Sequence, residues 1–229
     1  MIISHAHRFI FLKTTKTAGT SIEIALSEYC GPKDIITPIF PEDEKKRSVQ
    51  EGRGPQNYIF PFANYSFSDM VYFLIKGKRR RYFNHISAKL VRRFIGEEMW
   101  QSYFKFCFAR NPWDRAVSQF YWRRAEGAPH TFSEFIDSRN LISLEKKGYG
   151  LYTIDGDVAV DRVCLYENMA AELAYLSERL KLPNKLSLPI SKSSSRKDKE
   201  HYHDMFNPAE REKVASLFAE EIKLLGYEF

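Results

Sequence analysis

The apolar positions of this chain form two kinds of pattern, short runs with at most one charged residue and longer stretches with helical spacing. The runs at 9–12, 104–109 and 162–166 are rich in β-branched and aromatic residues and have the length of buried strands. Because helical patterns follow these runs, we predict an α/β fold with a central, mainly parallel sheet flanked by helices, and these strands at its centre. Apolar residues at three- and four-residue spacing predict helices at 19–29, 112–125, 168–181 and 208–225.

Residues 31–69 show neither pattern. They contain five prolines and a run of charged residues at 42–47, and we interpret them as an irregular excursion over the surface. Loops of this length are uncommon unless they bind something. We therefore expect one domain, 1–229, with a variable acceptor-binding lid at about 31–83. Residues 148–156 are also predicted to be a loop or turn.

Residues 13–21 connect the first predicted strand to the first predicted helix and are mostly small and polar. A strand, a small-residue loop and a helix in this order can cradle a phosphate. The N–H groups of the loop and first turn converge on the anion, and the helix dipole adds partial positive charge. Lys16 adds a full charge, and Thr17, Thr20 and Ser21 add hydroxyl groups, so the segment is a candidate anion site.

The loop differs from the Walker A loop of nucleotide kinases. That loop reads G-x-x-x-x-G-K-[ST], with the lysine after the last glycine. Here Lys16 precedes Gly19, and neither Thr20 nor Ser21 follows a lysine where it could hold Mg²⁺. The spacing therefore disfavours a mononucleotide kinase.

The segment KTAGTS resembles the 5′-phosphosulfate loop of sulfotransferases that use 3′-phosphoadenosine 5′-phosphosulfate (PAPS). In the carbohydrate-type branch, sulfotransferase family 2, the loop commonly reads P-K-T-[AG]-G-T-S, and Thr15 replaces the proline here. The resemblance implies a three-layer P-loop-type fold, and a lysine that stabilises charge on the departing 5′-phosphate. The residues implied to bind PAPS are Lys16, Thr17, Ala18, Gly19, Thr20 and Ser21.

A second segment, RNPWDRAVSQF at 110–120, follows the second predicted strand. Arg110 lies at the carboxyl end of that strand, where open α/β sheets bind ligands, and Pro112 suits the first turn of a helix. The segment matches the sulfotransferase 3′-phosphate motif, R-[DN]-P-x-[DE]-R-x-x-S-x-[FY], throughout. The resemblance implies that Arg110 and Ser118 bind the 3′-phosphate.

Two further candidates depend on the same resemblance. The segment HISA at 85–88 is similar to the H-x-S-A segment that precedes a helix in the family, where the histidine is thought to be the catalytic base. Ser87 is the predicted N-cap of that helix. A lone histidine is more often structural than catalytic, so the resemblance is what makes His85 the candidate base. Arg196, in a basic loop before the last predicted helix, is implied to lie on the 3′-phosphate side.

Bulk properties favour an anionic ligand. The net charge is +6, the isoelectric point is about 9.1, and residues 70–96 hold eight lysines and arginines but no acidic residue. This charge is not by itself a nucleic-acid signature, and no nucleic acid is expected as a partner. Cys30, Cys107 and Cys164 lie far apart and are interpreted as buried thiols in a reducing compartment.

The same sequence offers no targeting or membrane-spanning segment. No stretch reaches the ~18 apolar residues of a transmembrane helix, and Met1 leads almost directly into the first predicted strand. We therefore expect a cytoplasmic protein of bacterial type. Peripheral contact with a membrane and the oligomeric state stay open.

The resemblance implies transfer of a sulfuryl group from PAPS to an acceptor hydroxyl, with 3′,5′-ADP as the product. The carbohydrate-type branch implies a carbohydrate or glycoconjugate as the acceptor, and the sequence leaves a lipid, a peptide tyrosine or a small metabolite open. His85 would take the hydroxyl proton and Lys16 would stabilise the leaving group, with no metal. Two alternatives stay open. One is a P-loop phosphotransferase that uses ATP and Mg²⁺. The other is a non-catalytic binder of anionic glycans or nucleic acid through residues 76–93.

Overall fold

The computed structural model describes residues 1–127, 130–188 and 201–229. The strands in these ranges are β1 Ile2–Ser4, β2 Phe9–Leu12, β3 Ile35–Ile36, β4 Phe104–Ala109, β5 Thr153–Ile154, β6 Asp157–Val158 and β7 Arg162–Leu165. The α-helices are α1 Gly19–Ser27, α2 Pro41–Val49, α3 Phe67–Lys76, α4 Ala88–Ile95, α5 Glu97–Ser102, α6 Pro112–Ala125, α7 Phe132–Asp137, α8 Arg139–Lys146, α9 Tyr149–Tyr152, α10 Met169–Arg179, α11 Pro208–Leu217 and α12 Ala219–Leu225.

The central sheet has five strands in the order β3-β1-β2-β4-β7. β2 pairs parallel with β4, and β4 pairs parallel with β7, whereas β1 runs antiparallel to both β2 and β3. Four of the five strands therefore run in one direction, and the prediction of a mainly parallel sheet is confirmed. β2 and β4 lie inside the sheet as predicted. β7 was also predicted at the centre, but it lies at an edge of the described sheet.

Helices cover both faces of this sheet, because alternate side chains of the central strands point to opposite sides. Phe9, Phe11, Phe106 and Phe108 pack in one core cluster with residues of α1 and α10. The intervening side chains pack in a second cluster with residues of α4, α5 and α9, and these strand residues are Ile10, Leu12 and Cys107. The result is the predicted three-layer α/β architecture.

Residues 31–69, predicted to be irregular, contain more regular structure than expected. β3, α2, the 3-10 helix Phe62–Asn64 and the first residues of α3 lie within this range. α2 gives no apolar periodicity because the side chain it buries is Arg47, which pairs with Glu23 at 3.3 Å and with Glu44 at 3.0 Å. A helix held by a buried ion pair cannot be found from hydrophobic spacing.

Two other predicted boundaries need correction. Residues 148–156, predicted to be a loop, contain α9 and β5, and β5 pairs antiparallel with β6. The predicted helix at 208–225 is two helices that meet at Phe218. That residue is buried, and its carbonyl still accepts the N–H of Ile222 at 2.9 Å.

The positive charge of the basic stretch at 70–96 is partly neutralised by acidic residues, which its sequence does not suggest. Acidic residues from just outside it, or from further along the chain, pair with half of its eight positive charges. Asp69 contacts two of them, and Glu97 and Asp155 contact one each. The paired residues are Arg80, Lys89, Arg92 and Arg93.

Within the described ranges, no helix combines the length and apolar character needed to cross a membrane. The three cysteines are buried, as predicted, with free thiols.

Candidate active site

The loop between β2 and α1 has an unusual backbone. Lys16 and Ala18 both adopt left-handed conformations, with φ of 64° and 59°. Residues other than glycine seldom adopt such backbone angles unless the surrounding structure holds them there. Gly19 begins α1 so close to the loop that an added Cβ would lie 2.8 Å from Cγ of Lys13. The loop is therefore folded tightly over the first turn of α1, whose N–H groups have no acceptor within the helix.

Hydrogen bonds hold this loop in place from two sides. The hydroxyl of Thr14 donates to the carbonyl of Phe108 in β4, and the hydroxyls of Thr14 and Thr17 lie 2.8 Å apart. On the other side, the N–H of Thr15 donates to the carbonyl of Lys147 at 2.9 Å. The loop geometry is thus set by segments far away in the sequence.

The first lysine of the loop is committed to an internal ion pair. Nζ of Lys13 lies 2.9 Å from Glu23, which is fully buried in α1 and also contacts Arg47. Burial would raise the pKa of Glu23, but the nearby amino group of Met1, Lys13 and Arg47 lower it overall. Lys13 is therefore neutralised by Glu23.

Lys16, in contrast, is directed to the side of the loop that faces the cavity described below. Its Nζ lies 5.5 Å from the ring centre of Trp122 in α6. Burial lowers the pKa of Lys16 to about 8, and the neighbouring charge of Arg110 acts in the same direction. Burial and the nearby positive charge destabilise the charged form of Lys16. An anionic ligand would stabilise that charged form, because it would supply the missing negative charge.

His85 lies beside the same loop and is oriented by it. Nδ1 lies 2.8 Å from the carbonyl oxygen of Lys13 and 3.4 Å from the hydroxyl of Thr15. A carbonyl oxygen only accepts, so Nδ1 carries the proton and Nε2 keeps a lone pair. Burial lowers the pKa of His85 to about 4, which the hydrogen bond to Lys13 partly opposes. The ring is therefore neutral at pH 7, and the lone pair of Nε2 is unprotonated.

The backbone at His85 is also constrained. Its φ is 58°, in the left-handed region, and Ser87 accepts the N–H of Leu90 as the predicted N-cap of α4. Asn84, on the other side, bonds to the hydroxyl of Thr37 and the carbonyl of Pro38. The histidine is thus held between two fixed neighbours.

Ser118 lies in α6, and Arg110 lies two residues before that helix begins. Nε and Nη2 of Arg110 contact Asp114 at 2.8 and 2.7 Å, and the guanidinium stacks 4.2 Å over Tyr166. Nη1 donates to the carbonyl of Lys16 at 3.2 Å. Among the residues that the structure describes, these contacts leave two of the five guanidinium N–H groups for a ligand. Ser118 is half-buried, two turns along the face that begins at Arg110.

A cavity of about 420 Å³ opens at this place. Its positive side chains include Lys16, Arg123 and Lys147, and one carboxylate, Asp43, faces it as well. The volume lies within the range of small-molecule sites, and the surplus of positive charge favours an anionic ligand.

The structure brings most of the predicted site residues together. Those that line the cavity are Lys16, Ala18, Gly19, Thr20, Ser21 and His85. Thr17 has a buried side chain whose hydroxyl is bonded within the loop. Arg110 and Ser118 are not among the residues that line the cavity, although Arg110 contacts the carbonyl of Lys16, which does line it. Arg196 lies outside the described residues, so its contribution stays a prediction.

Comparison with other proteins supplies a family but no activity. Over 107 residues the chain is 30% identical to an uncharacterized protein of Archaeoglobus fulgidus, in a match that covers 45% of this chain and 89% of the archaeal one. The chain belongs to the family of that archaeal protein. No protein-family model matches the sequence.

Solved structures that are similar to this chain include two sulfotransferases and a retinol dehydratase. Mouse sulfotransferase SULT7A1, complexed with PAP, has 15% identity and a TM-score of 0.49, and the match covers 98% of this chain and 87% of that one. Retinol dehydratase, in complex with androsterone and inactive cofactor PAP, has 13% identity and a TM-score of 0.46, with coverage of 99% and 84%. A sulfotransferase from Alicyclobacillus acidocaldarius has 15% identity and a TM-score of 0.39, with coverage of 97% and 96%. TM-scores below 0.5 are too low to assign an activity to this family member.

Several cavity residues had no signal in the sequence. Phe40 and Asp43 come from the segment interpreted as irregular, Trp122 lies in α6 just after the recognised segment 110–120, and Asn140 lies in α8, where no motif was recognised. Lys147 follows α8 and is brought to the loop by its own carbonyl, which accepts from Thr15. Only the strand pairing and helix packing place these residues in one wall. In the described ranges, no cluster of three or more His, Cys, Asp or Glu is placed to hold a metal.

Proposed function

We propose that this protein is a sulfotransferase that uses PAPS as the donor and releases 3′,5′-ADP (PAP). One observation carries the proposal. The two motifs that resemble the 5′-phosphosulfate loop and the 3′-phosphate segment are in contact, because Nη1 of Arg110 donates to the carbonyl of Lys16 across 94 positions of sequence. Two motifs of one nucleotide site that meet in space support a single site more strongly than either motif does alone.

The residues around the cavity suit such a nucleotide. The first-turn N–H groups of α1 and the charge of Lys16 suit a 5′-phosphate, and the absence of a side chain at Gly19 lets the loop approach closely. The two remaining N–H groups of Arg110 suit the 3′-phosphate. The contact between Arg110 and the carbonyl of Lys16 supports the proposal that one nucleotide carrying both groups reaches both residues.

When bound, PAPS supplies a sulfuryl group joined to a phosphate leaving group. Lys16 would hold positive charge beside that phosphate, and donors of this kind typically contribute ~10²–10³-fold to the rate. Nε2 of His85 would accept the proton of the attacking hydroxyl, a step typically worth ~10²–10⁴-fold. Arg110 would fix the nucleotide through a group remote from the reaction, so that binding energy positions the sulfur.

We propose a carbohydrate or glycoconjugate hydroxyl as the acceptor, and residues 31–83 as the part of this single domain that selects it. Phe40 and Asp43 of that segment line the cavity, which supports a role in acceptor binding. Asn140 and Ser143 add polar groups to the same wall, and these suit an acceptor with several hydroxyls.

The proposal is tested by nucleotide discrimination. We expect PAP to bind about ten- to hundred-fold more tightly than 5′-AMP, because AMP leaves the charged donors of Arg110 without a phosphate, at ~1.5–3 kcal/mol. Isothermal titration calorimetry measures both affinities. In Arg110→Ala most of the difference should disappear, whereas Arg124→Ala, an exposed arginine of the same helix, should keep it. Equal affinity for PAP and AMP in the native protein would contradict the proposal, and tighter binding of MgATP than of PAP would favour the phosphotransferase alternative.

The pH dependence gives a second test of the same site. Lys16 is charged below its pKa of about 8 and loses its proton above it, so PAP affinity should fall as the pH rises through 8. The pKa of His85 is about 4, so protonation of this ring should not affect PAP binding between pH 5 and 8. Calorimetry across pH 5–9.5 measures the profile. In Lys16→Arg, which keeps its charge, the alkaline fall should be absent, and the same fall in that variant would rule out Lys16 as its cause.

A further inference from the structure

Helix α3 exposes an apolar face. Phe67 is 86% exposed, Leu74 is 74%, Ile75 is 71% and Met70 is 42%. These positions follow the spacing i, i+3, i+7 and i+8, which places them along one side of the helix. Exposed single apolar residues are ordinary, but four on one helical face form a continuous patch, and such patches usually mark an interaction site.

The side of α3 that is attached to the protein is the more polar one, although it includes Phe73, whose ring lies 5.0 Å from that of Phe62. Asp69 is 2% exposed, and its Oδ1 accepts from Nε of Arg80 at 2.8 Å and from Nη2 of Arg93 at 2.7 Å. Tyr72 stacks under Arg80 at 3.7 Å, and a capping box between Ser66 and Asp69 fixes the start of the helix. This arrangement is the reverse of an ordinary surface helix, whose apolar side faces the core. The ion pairs hold the helix with its apolar face outward.

Positive charge lies directly beside this face. Four basic residues follow at the end of α3 and just after it, are exposed, and have no acidic partner in the part of the chain that the structure describes: Lys76, Lys78, Arg79 and Arg81. Arg79 stacks 4.4 Å from the ring of Phe62, which is itself 41% exposed. A second cavity, of about 650 Å³, is lined by residues 78–81 together with Tyr58, Tyr72 and Phe83. The apolar face therefore borders a basic, aromatic surface that suits phosphate groups.

We propose that α3 and residues 76–81 form a docking surface for an anionic lipid bilayer. The apolar face would enter the boundary between headgroups and acyl chains, and the basic residues would contact lipid phosphates. α3 has ten residues and is about 15 Å long, half the ~30 Å of a hydrocarbon core, so it lies in the plane of the interface and does not span.

Charge favours a lipid surface over a second copy of this chain. In a two-fold dimer through α3, each copy would bring the same unpaired positive residues to the contact, and these would repel one another. An anionic bilayer neutralises them instead. The inference rests on α3 and its flanking charges and does not depend on the proposed reaction.

Vesicle co-sedimentation tests the docking surface. The native chain should bind vesicles of phosphatidylglycerol and phosphatidylcholine at equal parts, and should bind pure phosphatidylcholine at least ten-fold more weakly. Raising the salt from 0.1 to 0.5 M should weaken the binding, because added salt screens the charge attraction. Leu74→Ser/Ile75→Ser should lower the partition coefficient by about ten-fold or more. Val49→Ser, on α2 and 83% exposed, is the matched control and should leave binding unchanged.

A charge-reversal pair separates the electrostatic part. Lys78→Glu/Arg79→Glu should lower the partition coefficient by more than about 20-fold, at about five-fold for each positive charge lost. Lys33→Glu/Lys223→Glu, which changes net charge equally at exposed positions elsewhere, should lower it much less. Circular dichroism and thermal unfolding should show that all variants are folded.

Three results would overturn the inference. Equal binding to neutral and anionic vesicles would show that charge does not drive the binding. Unchanged binding in Leu74→Ser/Ile75→Ser would show that the apolar face of α3 does not contact the bilayer. A native dimer in light scattering that becomes monomeric in Leu74→Ser/Ile75→Ser would show that a second copy covers this face.

Discussion

Replacing His85 with asparagine should lower sulfate transfer by about 10²–10⁴-fold and leave PAP affinity nearly unchanged. Asparagine tolerates the left-handed backbone at this position, where φ is 58°, better than alanine does. Its side-chain amide can also donate to the carbonyl of Lys13, as Nδ1 does at 2.8 Å. It lacks Nε2, so the substitution removes the proposed proton acceptor and keeps the fold around it.

The measurement is transfer of labelled sulfate from PAPS to the acceptor that a panel of sugars, phenols and sterols identifies, alongside PAP titration. Lys16→Ala should behave differently and lower both turnover and PAP affinity, because Lys16 contacts the leaving group in the proposed site. His130→Ala, an exposed histidine, is the control and should retain activity. Near-normal turnover in His85→Asn would remove His85 as the base, and His201 and His203 would then be tested in its place.

The second large effect is on stability, at Arg115. Arg115 and Glu221 are fully buried and form two contacts, at 3.1 and 2.6 Å, and the hydroxyl of Tyr152 donates to Glu221 at 3.1 Å. The pair links α6, which follows Arg110, to α12 and to α9. Arg115→Ala should lower the free energy of unfolding by about 3–5 kcal/mol, because it leaves the carboxylate of Glu221 buried without its partner.

Urea denaturation measures this loss, provided that the slope of the transition is unchanged. The double variant Arg115→Met/Glu221→Met should cost less than the sum of the two single variants, because no buried charge is left behind. Arg92→Ala breaks an ion pair with Glu97 that is exposed to solvent and should change stability very little. If Arg115→Ala lowered the free energy of unfolding as little as Arg92→Ala does, burial would not explain the stability of this ion pair.

Part of the proposed phosphate site could be predicted from local sequence features. The order of strand, loop and helix, the short side chains of KTAGTS and the proline at the start of α6 are local features, and each appears in the structure where the sequence predicts it. The contact between Arg110 and Lys16 follows from the parallel pairing of β2 and β4, which brings the carboxyl ends of both strands to one edge. The parallel pairing of β2 and β4 is therefore what brings the two motifs into contact.

The chemical state of the site residues needed the three-dimensional structure. The sequence placed two lysines in the loop, but only the packing of Glu23 against Lys13 shows which of them is neutralised internally. The lowered pKa values of Lys16 and His85 follow from burial, and burial depends on residues such as Trp122 that are distant in sequence. A sequence pattern gives the type of a side chain but not its exposure to solvent, which sets its pKa.

The sequence alone determined the elements whose signal is local. β2 is a continuous apolar run, and β4 is apolar except at the buried Lys105, because both faces of each strand are covered; α4 and α6 begin at caps that satisfy their own first N–H groups. Tertiary structure decided where charges are paired and which face of a helix is exposed. α2 is held by the buried Arg47, α3 turns its apolar side to solvent, and half of the basic stretch at 70–96 is neutralised. The physical reason is that hydrophobic periodicity records burial along one element, whereas an ion pair depends on which distant segment packs against it.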